Sequence, residues 1–164
     1  MKYPLDRICV KSELFCPSCQ RKLDTGEVKP HEVDIIKTLM ELEDRIVELR
    51  KGEYVKSYIV GDTVIIVLKG DWERSEIEKL SRDLSSKFGK RVRIVTLTSD
   101  QRLLVEQVLP SVSVLNINIA WLPDGSEQIL VRIPSRDLRR LGNVKQWEEI
   151  LTDLFQKPTR IMSS

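Results

Sequence analysis

The stretch from residue 54 to residue 97 constrains the fold more than any other part of the chain. Two extended runs, residues 54–60 and 63–68, meet at Gly61-Asp62, a dipeptide suited to a tight hairpin turn. Val64, Ile65, Ile66, Val67 and Leu68 are apolar in succession, which suits a central strand covered on both faces. Ile77, Leu80, Leu84 and Phe88 then recur at spacings of three and four and end at Gly89, a helix with its stop. Residues 91–97 return as a strand of period two.

The preceding region predicts a long helix that begins near Pro30, where a missing N–H costs little, and stops at Gly52. Ile35, Leu39, Leu42, Ile46 and Leu49 fall along one side of it, widened by Ile36, Met40 and Val47. The order is therefore helix, strand, strand, helix, strand. It recurs in the second half. Ser99 and Asp100 can cap a short helix over residues 102–109, which Pro110 stops. An extended run over 111–122 follows, whose apolar phase slips between Val114 and Leu115 and so predicts a bulge. Pro123-Asp124-Gly125 turns the chain into a return strand over 127–133. Helices then start at Ser135 or Asp137 and at Lys145, broken by Gly142-Asn143, and a short strand over 157–162 closes the chain. The pattern is that of an α+β protein with two small units, residues 31–98 and 99–164, repeated in pattern and not in sequence.

Residues 1–30 hold all three cysteines, Cys9, Cys16 and Cys19. Such clustering in a cytosolic chain reads as metal binding before disulfide formation. Two residues between Cys16 and Cys19 let both sulfurs reach one ion, and Cys9 can supply a third ligand. His31, the only histidine, can complete a tetrahedral Cys3His set. Three other readings compete: Cys9 as a small buried residue, His31 as the start of a helix, and Cys16–Cys19 as a redox pair. The redox reading lacks the βαβ unit that a thioredoxin-like site needs. A Zn2+ here would be structural, since four protein ligands leave no open position for chemistry.

Charge and composition narrow the rest. The 164 residues carry 27 basic and 25 acidic side chains, net +2, so nucleic-acid binding must rest on local patches. No apolar run approaches the roughly 20 residues of a membrane helix, and the N-terminus lacks the apolar core of a signal peptide, so a cytoplasmic protein is expected. Many Glu, Lys, Arg, Ile and Val beside a single His hint at a thermophilic source. No catalytic constellation stands out, and the chain is expected not to be an enzyme and to take no small-molecule substrate.

The second half carries a resemblance. Residues 109–115 (Leu-Pro-Ser-Val-Ser-Val-Leu), residues 121–125 (Trp-Leu-Pro-Asp-Gly) and the Val131-Arg132-Ile133-Pro134 strand end before Asp137-Leu138 resemble the second KH domain of NusA-type transcription factors. With the first unit, the chain resembles compact archaeal NusA-like proteins: tandem type II KH units preceded by a zinc-ribbon-like segment over residues 1–30. The resemblance implies an RNA-binding accessory factor in transcription elongation or termination, or on the ribosome. Single-stranded RNA or rRNA is the implied partner, with RNA polymerase or the ribosome beside it. The family's paired Gly-x-x-Gly loops, which admit a nucleic-acid backbone, are not kept. In the corresponding loop of the first unit Gly70 stands alone among Asp71, Glu73, Glu76 and Glu78, and in that of the second Gly142 stands alone.

Arginines offer another route to RNA. Arg136, Arg139 and Arg140 share a helical face near Arg132 and Lys145, and such a cluster can bind phosphates. It can equally be a solvated face balanced by Asp137, Glu148 and Glu149. Lys87, Lys90, Arg91 and Arg93 form a second basic group around the Gly89 turn. Trp72 can stack on a base, though packing beside a sheet is the commoner role of tryptophan. The competing function is a protein–protein adaptor, or a ribosome-associated structural protein, that kept the scaffold without the clamp.

Overall fold

Val64, Ile65, Ile66, Val67 and Leu68 are all buried, as the run of apolar residues requires, and they form the middle of a three-stranded sheet. The structure, a computed structural model, describes residues 1–163. The chain divides into two compact units, Met1–Leu97 and Thr98–Ser164.

The first unit opens with helices α1 (Arg7–Ser12), α2 (Pro17–Asp24) and α3 (Pro30–Leu42), followed by a 3-10 turn at Val47–Lys51. Strands β1 (Glu53–Val60) and β2 (Thr63–Lys69) make an antiparallel hairpin about Gly61-Asp62, with Val60 opposite Thr63 and a bulge between Tyr54 and Lys56. Helix α4 (Arg74–Phe88) ends at Gly89 in the left-handed conformation and returns the chain as β3 (Arg91–Thr96), parallel to β2. One core joins Tyr54, Val64, Ile66, Leu68, Val92 and Ile94 of the sheet to Ile36, Leu39, Leu80 and Leu84 of the helices. Met1, Leu5, Cys9, Val10, Cys19 and Val28 belong to that same core. Residues 1–30 are thus built into the first unit by their own apolar side chains and do not stand apart from it.

The expected long helix is shorter than its apolar stripe. Helix α3 ends at Leu42, although Ile46 and Leu49 remain buried. Ile46 is extended, with φ −110° and ψ 92°, and the chain then tightens into the 3-10 turn. A 3-10 turn also brings every third side chain back to one side, so the spacing alone does not separate the two. Two contacts fix the break. Buried Glu43 pairs with the Met1 amine and with Arg7 Nη1 at 2.9 Å, and accepts the Tyr3 hydroxyl at 3.0 Å. The Glu48 carbonyl accepts the Trp72 indole N–H at 2.7 Å in place of a helical amide.

The second unit runs α5 (Gln101–Val108), β4 (Asn116–Trp121), β5 (Glu127–Ile133), α6 (Ser135–Leu141), α7 (Val144–Phe155) and β6 (Thr159–Ser163). Its sheet repeats the topology of the first: an antiparallel hairpin, then a third strand parallel to the second. Ile129, Val131 and Ile133 of β5, Trp147, Ile150 and Leu151 of α7, and Ile161 of β6 are buried. The extended run expected from residue 111 forms a strand only from Asn116. Before it, Ser111 has φ 53°, the Ser113 amide donates to Asp137 Oδ2 at 3.2 Å, and the Val114 carbonyl accepts Arg102 Nη2 at 2.7 Å. Side chains thus take backbone groups that a strand would have used. No helix among the described residues is long and apolar enough to cross a membrane.

Candidate metal centre

Three thiols and one carboxylate converge in the N-terminal segment. Cys16 is the N-cap of α2, Pro17 starts the helix, and Cys19 lies in its first turn, so the Cys19 amide points back to Cys16 Sγ at 3.5 Å. Cys9 comes from α1, and its sulfur accepts the Cys16 amide at 3.4 Å. The Asp6 amide donates to Cys19 Sγ at 3.4 Å. Each sulfur thus accepts one backbone N–H. The ligand atoms of Asp6, Cys9, Cys16 and Cys19 all lie within 4.8 Å of one another, and the cysteines are free thiols.

The electrostatics differ across the group. The Cys19 amide, first among several hydrogen bonds, holds the Cys16 thiol below its ordinary range, as befits a sulfur at a helix N-terminus. Burial pushes Cys19 up to about 11. Buried thiols with amides already turned toward them lack only a positive charge at their centre. Zinc–sulfur bonds of about 2.3 Å place tetrahedral sulfurs about 3.8 Å apart, so the observed spacing needs only slight closure. The donor set therefore fits a metal ion.

His31 is elsewhere. It lies in the first turn of α3, with Nε2 3.3 Å from the Ser57 carbonyl oxygen. The next residue explains its placement. Buried Glu32 accepts the Lys29 amide at 2.7 Å, the Ser57 amide at 3.0 Å and the Tyr54 hydroxyl at 2.8 Å, which ties the start of α3 to β1 and carries His31 with it. Asp6 takes the fourth place in the group. Asp6 and Cys9 are three residues apart, one helical turn, a spacing too common by itself to mark a ligand.

The basic residues are distributed unevenly. Arg136, Arg139 and Arg140 lie on α6 and are exposed, but Arg140 bonds Asp137 at 2.9 Å. Asp137 is buried and held below the usual carboxylate range, chiefly by the Ser113 amide and then by Arg140. Arg132 is half-buried on β5 opposite Asn116. Lys145, on α7, borders an open depression of about 630 Å³ together with Glu148, Glu149 and Asp153, an acidic setting for a phosphate. In the first unit Lys90 and Arg91 are exposed, while Arg93 is half-buried and burial lowers its pKa. Trp72 packs: its indole is bonded to Glu48, and its ring fills the space beside Gly52 and Gly70.

Fold and site together define a two-unit α+β protein with a thiol-rich group able to hold a metal ion. No protein-family model matches the chain, and no curated protein matches it. Among solved structures, that of APE1850 is similar, with a TM-score of 0.54 at 16% identity over 79% of this chain and 96% of that one. At that identity the likeness concerns the fold alone.

Proposed function

We propose that this protein is a non-catalytic, cytoplasmic RNA-binding accessory factor of the NusA-like type, with two type II KH-like units and a structural zinc in its first unit. The observation that carries the RNA reading is the second unit's element order, helix-strand-strand-helix-helix-strand, with Arg136, Arg139 and Arg140 exposed on the helix that ends at the Gly142-Asn143 turn. That turn is where a KH unit of this type would meet an RNA backbone. Long guanidinium arms reach phosphates from outside a loop that lacks paired glycines. The setting would be transcription elongation or termination, or the ribosome. Cys9, Cys16 and Cys19 would hold the zinc, which supplies a cross-link between α1 and α2 and no reaction step.

An RNA shift assay across salt concentrations tests the reading. Replacing Arg136, Arg139 and Arg140 with alanine should weaken binding with little sequence preference and flatten the salt dependence by roughly 2–3 in slope. Unchanged affinity and slope would remove RNA from this surface. The adaptor reading would then lead, favoured by the first unit's loop, where Trp72 fills the space and Asp71 and Glu73 are exposed. For the metal, elemental analysis of protein prepared without chelators should give one zinc per chain.

A further inference from the structure

We infer that Asp6 is the fourth ligand of the metal centre, so that three thiolates are joined by one solvent-facing carboxylate, and that this carboxylate is the corner through which metal exchanges. The inference rests on the metal reading above and goes beyond it in naming the ligand set and the point of exchange.

Two observations converge on Asp6. Its carboxylate lies within 4.8 Å of all three sulfurs. It is also the N-cap of α1, with the extended backbone of a cap (φ −65°, ψ 136°), yet its side chain makes no capping hydrogen bond. Aspartate at this position ordinarily accepts a hydrogen bond from the first turn of its helix. Its carboxylate has no hydrogen-bond or ion-pair partner among the described residues, while its own backbone amide is spent on Cys19 Sγ. The side chain thus forgoes the nearest donors and lies beside the sulfurs. His31, bonded to the Ser57 carbonyl, has another task.

The exchange property follows from burial and ligand chemistry. Cys9 and Cys19 are buried and Cys16 is half-buried, whereas Asp6 is exposed. Zinc accepts carboxylate oxygen, but thiolate is the softer and better-matched donor. The one oxygen ligand is therefore also the most exposed of the four, and its departure opens a coordination position to solvent.

The test uses the full chain with Zn2+ and Co2+ alone. Zinc affinity is measured by competition with a chromophoric chelator, and Co2+ coordination by its d–d and thiolate charge-transfer absorption. Asp6→Asn and Asp6→Ala should each weaken zinc at least about 10-fold, the least that disturbing even an outer partner of a site costs, and alter the Co2+ d–d bands. Asp6→Cys should tighten zinc and slow its release, and His31→Ala should leave affinity and spectrum unchanged. Because Asp6 is exposed and its carboxylate holds nothing else, far-UV circular dichroism of these variants should match the wild type. Zinc binding by the wild type with indifferent Asp6 variants would overturn the ligand assignment and leave the metal reading standing. A comparable loss in His31→Ala would do the same. No metal bound by the wild type would overturn both.

Discussion

Replacing Glu32 tests how the first unit is held together. Its carboxylate is 1% exposed and serves three donors: the Lys29 amide, the Ser57 amide and the Tyr54 hydroxyl. Burial, and then the charge of Glu32, raise the pKa of Tyr54, so its hydroxyl stays protonated and donates. Ser57 Oγ, 2.7 Å from the Tyr54 oxygen, completes the network. Glu32→Ala leaves the Ser57 amide and Tyr54 hydroxyl buried without that acceptor, at about 1–3 kcal/mol each. It also removes the bond to the Lys29 amide at the start of α3, at about 1 kcal/mol. The sum is about 3–7 kcal/mol. Glu32→Gln keeps the volume and one acceptor oxygen facing β1, but sets an amide N–H2 against the Lys29 amide, and should cost about 1–3 kcal/mol. Urea unfolding followed by circular dichroism gives both values, and hydrogen exchange at the Ser57 amide should accelerate in Glu32→Ala. A cost below about 1 kcal/mol for Glu32→Ala, or equal costs for the two variants, would refute the reasoning.

Two further perturbations follow from the same unit. Burial by itself would raise Glu43, but bonds from the Met1 amine, Arg7 and Tyr3 outweigh it and hold the carboxyl below its ordinary range. Its contribution is therefore present above the unfolded-state pKa of about 4.3 and lost as pH falls through the lower folded value. Glu43→Gln should flatten the fall of urea midpoint between about pH 5 and 3, and an unchanged acid limb would count against the pairing. Gly52→Ala sets a methyl group into the ring of Trp72, which must then leave the Glu48 carbonyl. We expect a loss of about 1–3 kcal/mol and a red shift of Trp72 fluorescence, and stability equal to wild type would show the ring is not wedged there.

What the sequence disclosed depended on how local each signal was. The hairpin at Gly61-Asp62, the run from Val64 to Leu68 and the stop at Gly89 are set by neighbouring residues, and each stands where its pattern predicts. The end of α3 was not legible, because Glu43 is held by residues some 40 positions away and periodicity is blind to them. The late start of β4 has the same origin, in the reach of Asp137 to Ser113 across 24 residues. At the candidate metal centre the three cysteines announced themselves by type. Asp6 did not, since aspartate before a helix is ordinarily a cap, and only its unused capping role sets it apart. His31 was drawn to the site as the sole histidine, and Glu32 beside it, reaching into β1, decides otherwise.

His31 and Glu32 together bear on the open edge of the first unit's sheet. Strand β1 pairs with β2 along one side only, and an open strand edge is a template on which other chains aggregate. Here the outward N–H of Ser57 is taken by Glu32 and its carbonyl by His31, while the Tyr54 amide donates to the Lys2 carbonyl at 2.8 Å. The bulge at Val55 sets both outward positions where these partners can reach them. An incoming strand therefore finds the ladder at Tyr54 and Ser57 already engaged, by one carboxylate, one imidazole and one backbone carbonyl. His31 and Glu32 thus occupy the backbone groups that edge-to-edge pairing at Ser57 would need.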